Sequence, residues 1–400
     1  MSASSAAADG ELVERRILSE WAAQHPIPEA IDLELTERCN NNCVHCYINV
    51  PARDADAIAR ERSTAEVIDT LQQAAGLGAI SVRLTGGEPL LREDFAEIYQ
   101  AAHHLGLRVQ LFTNACLMTP EIAALLAELP SGNLVEVTCY GITEDSYEAV
   151  TRTPGSFSAF LGGIELLRSQ GVPFGIKTVV LPPNRDEIAD LDEWVEQRGA
   201  VRLPATVTFL DLRGRRDSDD LNRMIARMRF APEDVVRLQS EIFAEHEEKT
   251  RQFCARFMGP LGDKLFRCGA GKRVCVDAYG RVQACMLLRE PDTTYDLREG
   301  TLREAITEFL PALQDMRARS EIYLERCARC FLGGLCEQCP ARSWSEHGNL
   351  ETPVEYHCEV AHAQARRIGL LADDERGWEI EDWQERIDAL RAALESPDSE

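Results

Sequence analysis

Three cysteines fall within eight residues, Cys39-Asn-Asn-Asn-Cys43-Val-His-Cys46, and Tyr47 follows at once. The spacing C-x3-C-x2-C can bring three thiolates onto one face of a small inorganic core within a single turn of chain. Thiolates are the soft ligands that iron–sulfur clusters need. A full cubane takes four protein ligands, so three leave one iron open to something other than protein. Zinc is the other metal that such short spacings bind. Its fourth ligand here would be His45, whose adjacency to Cys46 makes a poor geometry.

Cysteines return in the last third of the chain: Cys268, Cys275, Cys285, then Cys327-Ala-Arg-Cys330, Cys336-Glu-Gln-Cys339 and Cys358. Eight thiolates suffice for two fully ligated [4Fe–4S] clusters; two zinc sites are the alternative. Val274–Asp277 and Val282–Ala284 flank Ala278-Tyr-Gly280, a hairpin signal. Cys116, Cys139 and Cys254 fit no ligand spacing and read as small buried hydrophobes.

The elements that must position these groups alternate. Ile31–Thr36, Ile80–Thr85, Leu107–Thr113, Leu134–Tyr140, Phe174–Leu181 and Val201–Leu210 read as strands. Ser63–Gly76, Glu93–Leu105, Pro120–Leu129, Ser156–Gln170 and Arg185–Gln197 read as the helices between them. Six βα units imply an α/β fold with a parallel sheet and helices outside; periodicity leaves open sheet and barrel undecided. Cys39–Cys46 and the stretch Thr85-Gly86-Gly87-Glu88-Pro89 both follow strand ends, where α/β barrels carry their chemistry. Before the first strand, Glu11–Gln24 reads as a short amphipathic helix. Asp217–Lys249 is charged and helical in pattern, and Trp378–Leu394 reads as an acidic, surface-packed helical tail.

Composition narrows the class. Four hundred residues, 44% hydrophobic, suggest two or three domains with a sizeable core. A net charge of −24 opposes a phosphate backbone, so no nucleic-acid partner is expected. No signal peptide is visible at the start, and no apolar run reaches the roughly 18 residues of a membrane span. Clustered cysteines without a secretory signal favour metal binding in the cytoplasm over disulfides.

The triad, with an aromatic residue before its last cysteine and Gly86-Gly87-Glu88 downstream, resembles the signature of the radical S-adenosylmethionine (SAM) enzymes. The resemblance implies a partial (β/α)6 TIM barrel in which Cys39, Cys43 and Cys46 hold a [4Fe–4S] cluster. The amino and carboxylate groups of SAM chelate the open iron. SAM is cleaved to methionine and a 5′-deoxyadenosyl radical that abstracts hydrogen from substrate. It further implies that Gly86, Gly87 and Glu88 meet the SAM amino group, Glu88 as acceptor for the ammonium. Phe112-Thr113-Asn114 resembles the family's third strand ending, which adds Asn114 to the cofactor contacts. Thr138 stands where relatives often have serine, Lys177 on the strand where they often place a cofactor-binding polar residue, and Tyr47 completes the set.

The C-terminal cysteines resemble the SPASM extension, a small cysteine-rich iron–sulfur domain, with one C-x2-C where C-x3-C is commoner. By that resemblance Cys268, Cys275, Cys285 and Cys339 hold auxiliary cluster I. Cys327, Cys330, Cys336 and Cys358 hold auxiliary cluster II. The implied organisation is an N-terminal helical segment (1–30), the barrel (31–215), a helical linker (216–260), the SPASM domain (261–365) and an acidic helical tail (366–400). Relatives of this type mostly modify peptides. In those that mature sulfatases, an Asp stands at the position of Tyr140 and another follows the equivalent of Cys285, where this chain has Met286; both departures argue against that activity. The expected function is oxidation or crosslinking of a ribosomally made peptide, with a separate leader-binding protein and an electron donor such as flavodoxin or ferredoxin. Radical oxidation of a small molecule, such as a tetrapyrrole or sugar, is the alternative. A non-catalytic iron–sulfur or zinc protein is the reading from another class.

Overall fold

The computed structural model describes residues 28–395 apart from 133, 206, 208–209, 244 and 268–272. The helix expected over Glu11–Gln24 and the cysteine Cys268 lie outside the described residues. Six strands run parallel, each paired to the next: β1 (Ala30–Thr36), β2 (Ser81–Gly86), β3 (Arg108–Thr113), β4 (Val135–Cys139), β5 (Phe174–Thr178) and β6 (Val201–Arg202). Alternation sorts their faces. In β4, Val135, Val137 and Cys139 are fully buried, while Glu136 and Thr138 point to the opposite, half-buried side.

Helices α1 (Thr64–Gly76), α2 (Phe95–His104), α3 (Pro120–Glu128), α4 (Ser156–Ser169) and α5 (Leu191–Glu196) cover the outer face. A capping box between Ser63 and Glu66 starts α1, and Thr119 caps α3 with Pro120 in its first turn. Leu71, Phe95, Ile98, Leu126 and Phe160 of these helices join Leu84, Leu111 and Val137 of the strands in one buried cluster. The result is a partial barrel.

Two expected elements are shorter than the sequence suggests. The sixth strand ladders only over Val201–Arg202, because Pro204 brings no N–H to a ladder. The helix expected over Arg185–Gln197 divides into a 3-10 turn, Arg185–Glu187, and α5.

The C-terminal region supplies β7 (Arg273–Val276), β8 (Arg281–Gln283) and β9 (Tyr295–Asp296). The hairpin of β7 and β8 is antiparallel, as expected, and β9 extends it. β7 also pairs in parallel with β1, Ile31 opposite Val274 and Leu33 opposite Val276. The hairpin therefore covers the exposed edge of the first barrel strand. One nine-stranded sheet results, in the order β9-β8-β7-β1-β2-β3-β4-β5-β6. Val274, Val276 and Val282 enter the same core as the barrel strands.

Among the further helices are α6 (Pro232–Ile242), α7 (His246–Phe257), α8 (Pro340–His347), α9 (Glu355–Arg367) and α10 (Trp383–Glu395). Cys254 of α7, Phe331, Leu332, Ile368 and Ile387 and Leu390 of α10 form a second core. The acidic tail thus carries a buried face. Among the described residues no helix is long and apolar enough to cross a membrane.

Candidate active site

Past β1 the chain turns at Glu37, and Arg38–Cys39 pairs with Val50–Pro51, closing the base of the cysteine loop. The loop is tied to its surroundings by Asn42 N–H to Thr151 O and Val44 N–H to Val150 O, both 2.9 Å. Cys39, Cys43 and Cys46 line one cavity of about 300 Å³, within the range of small-molecule sites. The ends of strands β2 to β5 and the segments that follow β1 and β6 contribute to it: Tyr47 and Asn49 after β1, Thr85–Gly87 at β2, Phe112–Asn114 at β3, Thr138 and Tyr140 at β4, Val179 after β5, and Leu210 and Asp211 beyond β6.

Burial, then repulsion from the neighbouring sulfurs, pushes the Cys39 and Cys43 thiols well above their ordinary range. Three thiolates can share this space only if cationic metal lies among them. Among the described residues no three His, Cys, Asp or Glu side chains converge on a single-ion site. A lone zinc needs ligands within about 2.0–2.3 Å of one point. A cubane spreads its thiolates around a wider core, and the soft three-sulfur donor set suits it. Tyr140 hydrogen-bonds the Cys43 side chain and packs edge-on to His45 at 5.4 Å. The Asn114 amide donates to Asn40 Oδ1 at 2.9 Å and lies 3.7 Å from Cys39 Sγ.

Gly86 and Gly87 pass against the chain that enters the cysteine loop. Gly86 has φ +132°, and a Cβ there would stand 2.1 Å from Thr36 O; one on Gly87 would stand 2.3 Å from Arg38 O. Gly87 N–H donates to Thr36 O at 2.7 Å and Glu88 N–H to Arg38 O at 2.9 Å. The glycines therefore lock the second motif onto the first while lining the cavity.

Glu88 and Lys177 are not among the described residues that line the cavity. The Glu88 carboxylate is turned away from the cavity wall and fully buried, accepting from Thr113 Oγ1 and Asn114 N–H at 2.7 Å each and from Leu90 N–H at 3.1 Å. These donors occupy three of the carboxylate's roughly four acceptor positions, two on Oε1 and one on Oε2. Burial outweighs them and raises the Glu88 pKa to about 7. Lys177 lies opposite Thr138 in register, yet its ammonium leans to Glu136 Oε1 at 3.2 Å. Opposite charge draws it toward the other end of the strands, so Thr138 lines the cavity and Lys177 does not. Tyr47 lines the cavity, and burial followed by the Glu34 carboxylate pushes its phenol upward.

In the C-terminal region Cys327, Cys330, Cys336 and Cys358 line a single cavity with Arg326, Gln338, His362 and Trp378. Burial raises the first three thiols to about 12, and each is further raised by at least one of its partners. Cys275 lies on β7 opposite Asp32 of β1, fully buried, its thiol raised by burial and then by Glu34. Cys285 follows β8 and Cys339 precedes α8; both pack half-buried against the main core.

Several residues escaped the sequence reading. Asp211 is the one carboxylate among the residues lining the triad cavity, and Arg342 holds it at 2.6 Å. Arg289 is buried and donates to both oxygens of Glu34 at 2.7 and 2.8 Å and to Glu37 Oε1 at 2.7 Å. Glu37 also accepts from Tyr279 Oη at 2.8 Å and pairs with Arg215. Neither Asp211 nor Arg289 stands in a recognisable motif. Met286-Leu-Leu-Arg289, an arginine after an apolar run, is the only hint that a charge is carried inward.

A parallel partial barrel with a three-thiolate loop at the strand ends defines a SAM-cleaving iron–sulfur enzyme. The profile of the Radical SAM superfamily matches residues 33–195. The chain belongs to that superfamily, with a C-terminal extension of the SPASM type, and uses SAM and a [4Fe–4S] cluster. It is 31% identical over 345 residues to an AdoMet-dependent heme synthase of Methanosarcina barkeri, covering 80% of this chain and 94% of that protein. It is 30% identical over 278 residues to the mycofactocin maturase MftC of Mycobacterium tuberculosis, covering 68% of this chain and 67% of that one. In fold it is similar to Streptococcus suis SuiB bound to the precursor peptide SuiA. That likeness has a TM-score of 0.61 at 15% identity and covers 85% of this chain and 78% of the other.

Proposed function

We propose that this enzyme oxidises or crosslinks a ribosomally made peptide. The observation that carries this reading is the cavity in which the three cysteines meet the ends of barrel strands β2 to β5, together with the similarity to a maturase over two thirds of both chains. The barrel is assigned to 31–215 and the cluster-bearing extension to 261–365. Cys39, Cys43 and Cys46 would hold the cluster that supplies reductive SAM cleavage. Gly86, Gly87, Asn114, Thr138 and Tyr47 would orient SAM, the glycines by backbone polar groups. Tyr140 and Asn114 stiffen the loop that carries the thiolates. Asp211 faces the same space and can take a proton from a substrate radical centre as it is oxidised. Two auxiliary clusters are assigned, one to Cys327, Cys330, Cys336 and Cys358, the other to Cys268, Cys275, Cys285 and Cys339. Fully ligated clusters suit electron transfer, and an oxidation that returns electrons from substrate needs such a path. A cytoplasmic location, a leader-binding protein and a flavodoxin or ferredoxin donor belong to the same reading.

A second reading, oxidation of a tetrapyrrole, is favoured by the longer match to a heme synthase, 94% of whose length is covered. One experiment separates the two. The enzyme is reconstituted anaerobically and offered SAM with a small peptide encoded beside it or with an iron porphyrin. A peptide product lighter by about 2 Da per modification, with one 5′-deoxyadenosine formed each time, supports the first reading. Unchanged peptide mass together with porphyrin turnover transfers the assignment to the second.

A further inference from the structure

The cavity that gathers Cys327, Cys330, Cys336 and Cys358 is walled by Leu261, Leu332, Val354, Ala361 and Trp378, and among the described residues Arg326 is the one permanently charged side chain that lines it. Backbone N–H groups serve two sulfurs: Gln338 N–H reaches Cys336 Sγ at 3.4 Å, and Leu332 bonds Cys330. At Cys358 the donors are side chains. Arg326 Nη2 lies 3.9 Å from Cys358 Sγ. Its position is fixed by a two-pronged bond to Glu355, at 2.7 and 3.0 Å, and by stacking 4.6 Å above the Trp378 ring. His362 is oriented as well. Gly377 N–H donates to its Nε2 at 3.0 Å, so Nδ1 carries the proton. That N–H lies 2.7 Å from Cys358 O and 3.6 Å from Cys358 Sγ.

We propose that Arg326 sets the reduction potential of the auxiliary cluster held by Cys327, Cys330, Cys336 and Cys358, raising it so that this cluster accepts an electron more readily. The inference rests on the assignment of these four cysteines as cluster ligands. Reduction adds negative charge to a group that four thiolates already make anionic, inside an apolar wall. A fixed guanidinium at one sulfur stabilises the reduced form more than the oxidised form. Glu355 works in the opposite sense, and its exposed side lets solvent weaken that effect. Cluster potentials follow net charge and hydrogen bonds to sulfur, and here one residue supplies both.

The test is a redox titration followed by electron paramagnetic resonance, with iron counted on each sample. The background carries Cys39→Ala, Cys43→Ala and Cys46→Ala, so that only auxiliary clusters contribute. Arg326→Gln is expected to lower one midpoint potential and leave the other, with iron content unchanged. Arg326→Lys should fall between, and Glu355→Gln should raise the same potential. Equal iron with both potentials unmoved in Arg326→Gln overturns the inference. If that variant loses iron, Arg326→Lys decides in its place, and an unmoved potential there overturns it. Cys358→Ala measures the ligand assignment separately: full iron retention in that variant removes the cluster, and the proposal with it.

Discussion

Arg342, in the first turn of the helix that follows Cys339, holds Asp211 at 2.6 Å, and Asp211 lines the cavity of Cys39, Cys43 and Cys46. The same guanidinium reaches Glu337 Oε2 at 2.8 Å. Around this pair the segment from Leu210 to Arg216 is bonded along α8: Trp344 Nε1 donates to Gly214 O at 2.7 Å, and Arg216 donates to Trp344 O and Ser345 O at 2.9 and 3.0 Å. The cysteine-rich extension therefore sets where the wall of the barrel cavity stands.

Asp211→Asn should separate SAM cleavage from product formation. The amide keeps the shape but cannot take a proton, and positioned acid–base groups contribute roughly 100-fold or more. Product per 5′-deoxyadenosine is expected to fall by about that factor, measured by chromatography of both. Equal coupling in the variant would refute a proton-transfer role.

Gly86→Ala and Gly87→Ala should weaken SAM binding and destabilise the fold. At each position the new methyl would stand within 2.3 Å of a backbone oxygen, which the chain entering the cysteine loop must yield to. A loss of about 1–3 kcal/mol is expected. Thermal melting and SAM titration on iron-matched samples measure it; wild-type values in both variants would contradict the close approach.

Arg289→Met should be among the most damaging single changes outside the cysteines. It leaves Glu34 and Glu37 buried without their shared cation, at a cost of about 3–5 kcal/mol. Soluble yield and the denaturation midpoint are the measurements. Because β1, the cysteine loop and the C-terminal hairpin meet here, iron content should fall with stability.

The pH dependence of stability has a defined sign. Burial raises the Glu88 pKa to about 7 from 4.5, so the folded chain holds this proton more tightly than the unfolded chain. Its contribution is full below pH 4.5 and is lost as pH rises to about 7. Glu88→Gln should flatten the fall in melting midpoint across that window, and an unchanged slope would show that Glu88 does not titrate there.

Iron should reach about twelve per chain on full reconstitution, from one group of three and two groups of four cysteines. Replacing any of Cys39, Cys43 or Cys46 with Ala should abolish 5′-deoxyadenosine formation under dithionite. Iron near four with zinc making up the balance would contradict the auxiliary assignment, and near-wild-type turnover in any of the three would contradict the triad.

The sequence by itself determined the six βα units and the triad loop. These are short-range facts: alternation sorts a strand, capping residues start a helix, and the three triad cysteines lie within eight residues. Only the tertiary structure decided which polar groups meet. Asp211 and Arg342 are 131 positions apart, and Arg289 and Glu34 are 255 apart. No local period encodes such pairs, because they form when separate elements dock and each buried charge must find its partner. The same reason governs Glu88 and Lys177. Resemblance put both among the cofactor contacts; the Glu88 carboxylate lies among the donors of Thr113, Asn114 and Leu90, and the Lys177 ammonium lies at Glu136. The pairing of the C-terminal hairpin with β1 was likewise decided in three dimensions, where an open strand edge and an apolar hairpin complete one sheet.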